Sequence, residues 1–179
     1  MKLIPAPEYS IRVITPPTPE LTPQSEIMVA GVPTGRVIAG AILRAALSWE
    51  EFVLLFLTDD VPFEDALRMY LLDRDLAVVD SARMGAMYST GIFSNLDITE
   101  PDTVRFQFFQ GVVWTLRLLS EEAFAIPMIS EPTGVSRPFK FFRRIRLTAE
   151  PLPDTPEDKC EDLNGSTKLR SSIATRGDV

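Results

Sequence analysis

A chain of 179 residues with 45% hydrophobic side chains has the size and apolar content of one ordinary domain with a sizeable core. Its net charge of −7 speaks against a nucleic-acid binder, whose affinity comes largely from neutralising phosphates. Histidine is absent, which excludes Ser-His-Asp and Cys-His nucleophilic catalysis and His-ligated zinc.

The lone Cys160 cannot close an internal disulfide of the kind that staples small secreted folds. Residues 1–7 reach a proline before any apolar signal segment forms. The longest apolar run, 37–57, holds Arg44, Glu50 and Glu51, which fits a core better than a bilayer. A cytoplasmic protein that enters no membrane is therefore expected.

Along the chain, residues 9–14 alternate as a short strand with Tyr9, Ile11 and Val13 on one face. The proline-rich stretch 15–23 is an extended connector that no sheet interior could hold. Residues 26–32 read as a strand that ends in a turn at Pro33-Thr34-Gly35. For 36–47, four alanines favour helix, whereas Val37, Ile38 and Gly40 suit the return arm of a hairpin; strand is the expectation. Residues 52–57 are apolar on both faces, as in a strand covered from both sides.

Asp59 to Asp65 has the aspartate cap and early proline of a helix start. A helix over 62–72 competes there with a hairpin whose arms, 67–72 and 76–79, flank the polar turn Asp73-Arg74-Asp75. The clearest element is a second hairpin. Residues 104–108 and 114–118 alternate apolar and polar about Gln110-Gly111, where glycine supplies the positive φ of a tight turn. Strands near 124–129 and 139–147 complete the set.

These readings predict a mainly β fold, an antiparallel sandwich or partly closed barrel built from hairpins, with at most one or two short helices. The alternative is an α+β fold with a helix near 62–72, near 36–47, or both. One globular domain covers 1–150. From Pro151 apolar residues nearly vanish, so 151–179 is expected to be a disordered tail.

No motif in the chain names a reaction. Asp73, Asp75 and Asp80 resemble the opening of a calcium loop but lack its glycine and terminal glutamate, which leaves a solvated turn. Gly31 to Arg36 is one residue short of a phosphate loop and lacks its Lys-Ser/Thr pair. Two charged groups remain. Asp59, Asp60, Glu64 and Asp65 could receive a basic partner, or simply complement a helix dipole.

Arg137, Lys140, Arg143, Arg144 and Arg146 place five of the chain's 18 basic residues within ten positions. Alternation puts Phe139, Phe141, Ile145 and Leu147 on one face, and Lys140, Phe142, Arg144 and Arg146 on the other. Lys140, Arg143, Arg144 and Arg146 could bind an acidic partner, or guard an edge strand against unwanted pairing. Up to Ser136 the chain carries 9 basic and 18 acidic residues, net −9, so charge is segregated along it.

The functional expectation is a non-enzymatic protein-binding domain of the immunity, antitoxin or adaptor type. It would dock a protein partner through these charged surfaces, with no catalytic residue, metal or cofactor. The alternative is a small-ligand β-barrel whose cavity is lined by Phe52, Phe56, Phe106, Phe108 and Trp114. A carboxylate enzyme holding a metal at Asp59 to Asp65 is a third reading.

The composition of 151–179 makes one expectation measurable. Deleting the tail should leave the melting temperature almost unchanged, because little apolar area is lost. A fall of several degrees in a thermal melt would mean that the segment packs on the domain.

Overall fold

The computed structural model describes residues 2–18, 20–62, 64–85, 91–126 and 131–152, and among them there is no helix. The strands in chain order are β1 (Ile4–Pro5), β2 (Tyr9–Thr15), β3 (Gln24–Val29), β4 (Val32–Ala39), β5 (Ile42–Trp49), β6 (Phe52–Thr58), β7 (Leu67–Leu72), β8 (Val78–Met84), β9 (Ser94–Glu100), β10 (Thr103–Gln107), β11 (Val112–Phe124), β12 (Val135–Ser136) and β13 (Phe142–Pro151). They form a six-stranded sheet of order β1-β5-β6-β7-β8-β12, a four-stranded sheet β13-β11-β10-β9 and a three-stranded sheet β2-β3-β4. Neighbouring strands run antiparallel. None of the three sheets closes on itself, so the architecture is all-β and consistent with a sandwich rather than a closed barrel.

β6 explains the layering. All seven of its residues are buried. Successive side chains of a strand point to opposite faces, so its apolar residues divide into two sets. Phe52, Leu54 and Phe56 join a core shared with Val104, Phe106, Trp114, Leu116, Leu118, Ile145 and Leu147 of the four-stranded sheet. Val53, Leu55 and Leu57 join a second core with Ile27 and Ile38 of the three-stranded sheet. The six-stranded sheet is thus the middle layer, as a strand apolar on both faces requires.

The helix alternatives fail for the same reason. Residues 36–47 fall in β4 and β5, and 62–72 contains β7, where Leu67, Met69 and Leu71 alternate into the first core. Period-two burial overrides the helix propensity of the alanines. The hairpin across residues 104–118 is present, with Phe106 opposite Trp114 and Gly111 at φ 74°.

The turn expected at Pro33-Thr34-Gly35 lies earlier. Ala30 and Gly31 take φ of 50° and 78° between the paired residues Val29 and Val32. Pro33 lies inside β4, an outer strand of its sheet, where a missing amide donor is tolerated. Gly40 makes the crossing from the outer to the middle sheet. At φ 130° it passes so close to β6 that a Cβ would meet that of Leu57 at 2.7 Å.

At the C-terminal end, Pro151 still pairs with Val112, and the Leu152 amide donates to the Gly111 carbonyl at 2.8 Å. The sheet therefore runs past the expected boundary at 150, and a tail truncation belongs after Leu152. The remainder of the expected tail, 153–179, lies outside the described residues.

Because β6 serves two cores, two substitutions test the layers separately. Phe56→Ala should cost about 3–5 kcal/mol and Leu55→Ala about 2–5 kcal/mol in urea unfolding. A loss below about 1 kcal/mol in either would show that the corresponding layer is not packed on β6.

Candidate functional site

The four acidic candidates do not form one surface. Asp59, just after β6, is buried, and Arg68 of β7 grips its carboxylate with both ends of the guanidinium, Nε to Oδ1 at 2.6 Å and Nη2 to Oδ2 at 2.9 Å. Asp65 turns back to accept the amides of Asp59 at 2.9 Å and Asp60 at 3.0 Å. Burial pushes its carboxyl above the ordinary range, against the pull of those two donors. Tyr70 beside them donates to the Ala39 carbonyl at 3.0 Å, and burial raises its phenol too. Asp60 and Glu64 stay exposed and line an open groove of about 520 Å³ with Glu20, Leu21 and Arg83. Half of the acidic group is therefore internal structure.

The basic group divides in the same way. On β13, Arg143, Ile145 and Leu147 point inward, while Phe142, Arg144 and Arg146 point outward. Arg143 and Arg137 join Asp80 and Glu131 in a buried clasp, whose side chains are 5%, 2%, 2% and 11% exposed respectively. Asp80 of β8 accepts the amides of Arg144 and Ile145, both at 2.8 Å, so a carboxylate occupies the outer edge of β13. Arg137 reaches Asp80 at 3.4 Å and donates to the Ile145 carbonyl at 3.0 Å.

Glu131 lies 2.9 Å from Nε of Arg137 and 3.6 Å from Nε of Arg143. Neither Nε has an aligned hydrogen bond, so Glu131 holds both arginines by charge more than by geometry. Asp73, the other end of the calcium-like spacing, instead organises its own turn by accepting the amides of Asp75 and Ala77, both at 2.9 Å.

The exposed side chains of this region are aromatic. β11 sets four residues, 119–122, opposite the single Arg144, since Leu118 pairs with Ile145 and Ala123 with Arg143. Beyond that bulge Phe124 pairs with Phe142, and the Ala125 amide donates to the Phe141 carbonyl at 2.8 Å. Phe139 and Phe141 precede the strand, on a segment braced by Arg137 and by the Arg143 contact to the Pro138 carbonyl at 3.2 Å. The rings touch in a chain: Phe139 on Phe141 at 5.4 Å, Phe141 on Phe124 at 6.2 Å, Phe124 on Phe142 at 6.1 Å between centroids. All four remain 47–74% exposed.

Alternation along the sequence places Phe139 and Phe141 on the buried face with Ile145 and Leu147. The strand begins only at Phe142, so the alternation does not extend back to them. The signal in the residues is Pro138, which has no amide to donate to a ladder and so interrupts a regular strand at this point.

Arg144 folds over the Phe52 ring at 5.1 Å and donates to the Ser120 carbonyl at 2.7 Å, with Glu122 at 3.6 Å. Lys140 is exposed, its ammonium 3.4 Å from the Val79 carbonyl, and Arg146 is exposed. The five aromatics considered as a cavity lining are instead packed core: Phe56 meets Phe106 at 5.4 Å, and all five are buried. Among the described residues no three acids or cysteines converge to hold a metal ion, and no helix is long and apolar enough to cross a membrane. No protein family matches the chain, and neither a curated protein nor a solved structure is significantly similar to it.

The buried pairs set limits on surface mutagenesis. Arg68→Met should cost about 3–5 kcal/mol, because it strands the Asp59 carboxylate in the interior. Asp60→Lys with Glu64→Lys should stay within about 0.5 kcal/mol. Chemical denaturation of both variants tests the split; equal effects would contradict it.

Proposed function

We propose that the protein is a non-enzymatic protein-binding domain, of the immunity, antitoxin or adaptor type, acting in the cytoplasm. The docking face is the aromatic patch of Phe124, Phe139, Phe141 and Phe142 with the basic side chains at its border. The observation that carries this reading is the exposure of four phenylalanines in one place, joined in a chain of one stacked and two edge-on ring contacts. Single exposed apolar residues are ordinary, but contiguous aromatic patches mark interaction sites, and aromatic residues dominate interface energetics.

Charge supports the same face. Lys140, Arg144 and Arg146 border the patch on a chain whose net charge is −7, so a partner is steered to this end by a local reversal of sign. Asp60 and Glu64 are a separate exposed acidic region, near the connector that carries Glu20 and Leu21.

A photo-crosslinking phenylalanine analogue at position 141, in cells that express the protein natively, tests the assignment. A discrete protein adduct is expected there, and none from the same analogue at the exposed Thr99 of β9. No adduct at 141, or the same adducts from both positions, would refute the docking face.

A further inference from the structure

Resting on that reading, we propose that the partner presents an acidic segment with a large apolar side chain. The side chain inserts among the four phenylalanine rings while its carboxylates meet Lys140 and Arg146. Residues 137–146 carry five cations and no acid, and the fold disposes of these charges differently. Arg137 and Arg143 are buried, and Asp80 and Glu131 offset them. Arg144 is occupied by Glu122, the Ser120 carbonyl and the Phe52 ring. Lys140 has a carbonyl but no carboxylate, and Arg146 has no partner among the described residues.

Two exposed cations thus stand uncompensated beside exposed aromatic area. With Glu121 and Glu122 on the β11 bulge counted against Lys140, Arg144 and Arg146, this end of the sheet is net +1, while the whole chain is −7.

That distribution discriminates between occupants. A second copy docked patch to patch would set Lys140 and Arg146 near their own counterparts and bring together two chains of −7. An anionic bilayer gains only about 1 kcal/mol per basic residue near its surface, and the acidic bulk of the domain opposes it. An acidic peptide segment needs only local complementarity, since charges beyond about 8–10 Å are screened at physiological salt. Carboxylates at the rim and one apolar anchor in the centre give the usual division of an interface into polar border and apolar core.

A random peptide library displayed on phage, panned on the full chain and counter-selected on a Phe139→Ser/Phe141→Ser/Phe142→Ser variant, tests the proposal. The exposure of the three rings predicts that this variant melts like the parent. The single variant Phe141→Ser serves if it does not. Enriched peptides should combine Asp or Glu with an aromatic or large aliphatic residue. A synthetic copy should lose at least about tenfold in affinity on Lys140→Glu/Arg146→Glu, and weaken as salt rises.

Patch-dependent peptides that are neutral or basic would overturn the acidic chemistry and leave the aromatic docking face standing. The absence of any patch-dependent peptide would overturn both. Patch-dependent binding to phosphatidylserine vesicles or to a single-stranded oligonucleotide, or patch-dependent dimerisation in analytical ultracentrifugation, would overturn the acidic peptide as the occupant of the patch.

Discussion

The constraint on which the structure depends is that β6 is apolar along its whole length and has to be covered on both faces. A strand of this kind cannot lie at the surface or at the edge of a one-sided sheet. Its neighbours β5 and β7 flank it in the plane, and the four-stranded and three-stranded sheets cover it from opposite sides. The antiparallel register then places every other feature. Leu47, Leu54 and Leu71 align on one face across three strands, and Ala46, Leu55 and Tyr70 align on the other. The small Ala46 and Gly40 are where the three-stranded layer approaches closely.

The second organising element is electrostatic. Sheet edges invite further pairing unless something occupies them. On β13 the occupant is Asp80, which reaches from the neighbouring sheet to take two successive amides. Such a carboxylate is costly to bury alone, and Arg137 and Arg143 with Glu131 supply the charge balance. The clasp ties the middle sheet to the four-stranded sheet where their edges meet. It also holds residues 137–141 in a course outside the sheet, so Phe139 and Phe141 are displayed rather than packed. In this sense the buried charges and the exposed rings are one arrangement: internal polar groups fix a segment whose apolar side chains face outward.

How much of this is legible in the residues depends on the range of the interaction. The hairpin around Gly111 needs only local alternation and a turn residue, and the double burial of β6 needs only its composition. The contest between helix and strand at 36–47 and 62–72 turns on packing against distant strands, which propensity does not contain. The turn at Ala30-Gly31 is hidden because Pro33 and Gly35 are stronger turn signals than a non-glycine residue at positive φ. Phe139 and Phe141 read as inward only when alternation is carried back toward Pro138. Nothing local marks the four-residue bulge of β11 that opens the sheet at this point.

The charged residues show the same limit from another side. Sequence proximity groups Asp59, Asp60, Glu64 and Asp65, and it groups Lys140, Arg143, Arg144 and Arg146, as if each set were a surface. In the fold, Asp59 and Asp65 hold a loop together and Arg143 balances a buried acid, so their charge is spent inside the molecule. What stays at the surface is the remainder: Asp60 and Glu64 at one place, Lys140 and Arg146 beside four phenylalanines at another. A count of charges along a chain therefore overstates the charge available for recognition. Exposed aromatic area is the complementary quantity, because no buried partner cancels it. Where that area lies beside charge that no carboxylate offsets, affinity and specificity can come from the same few residues.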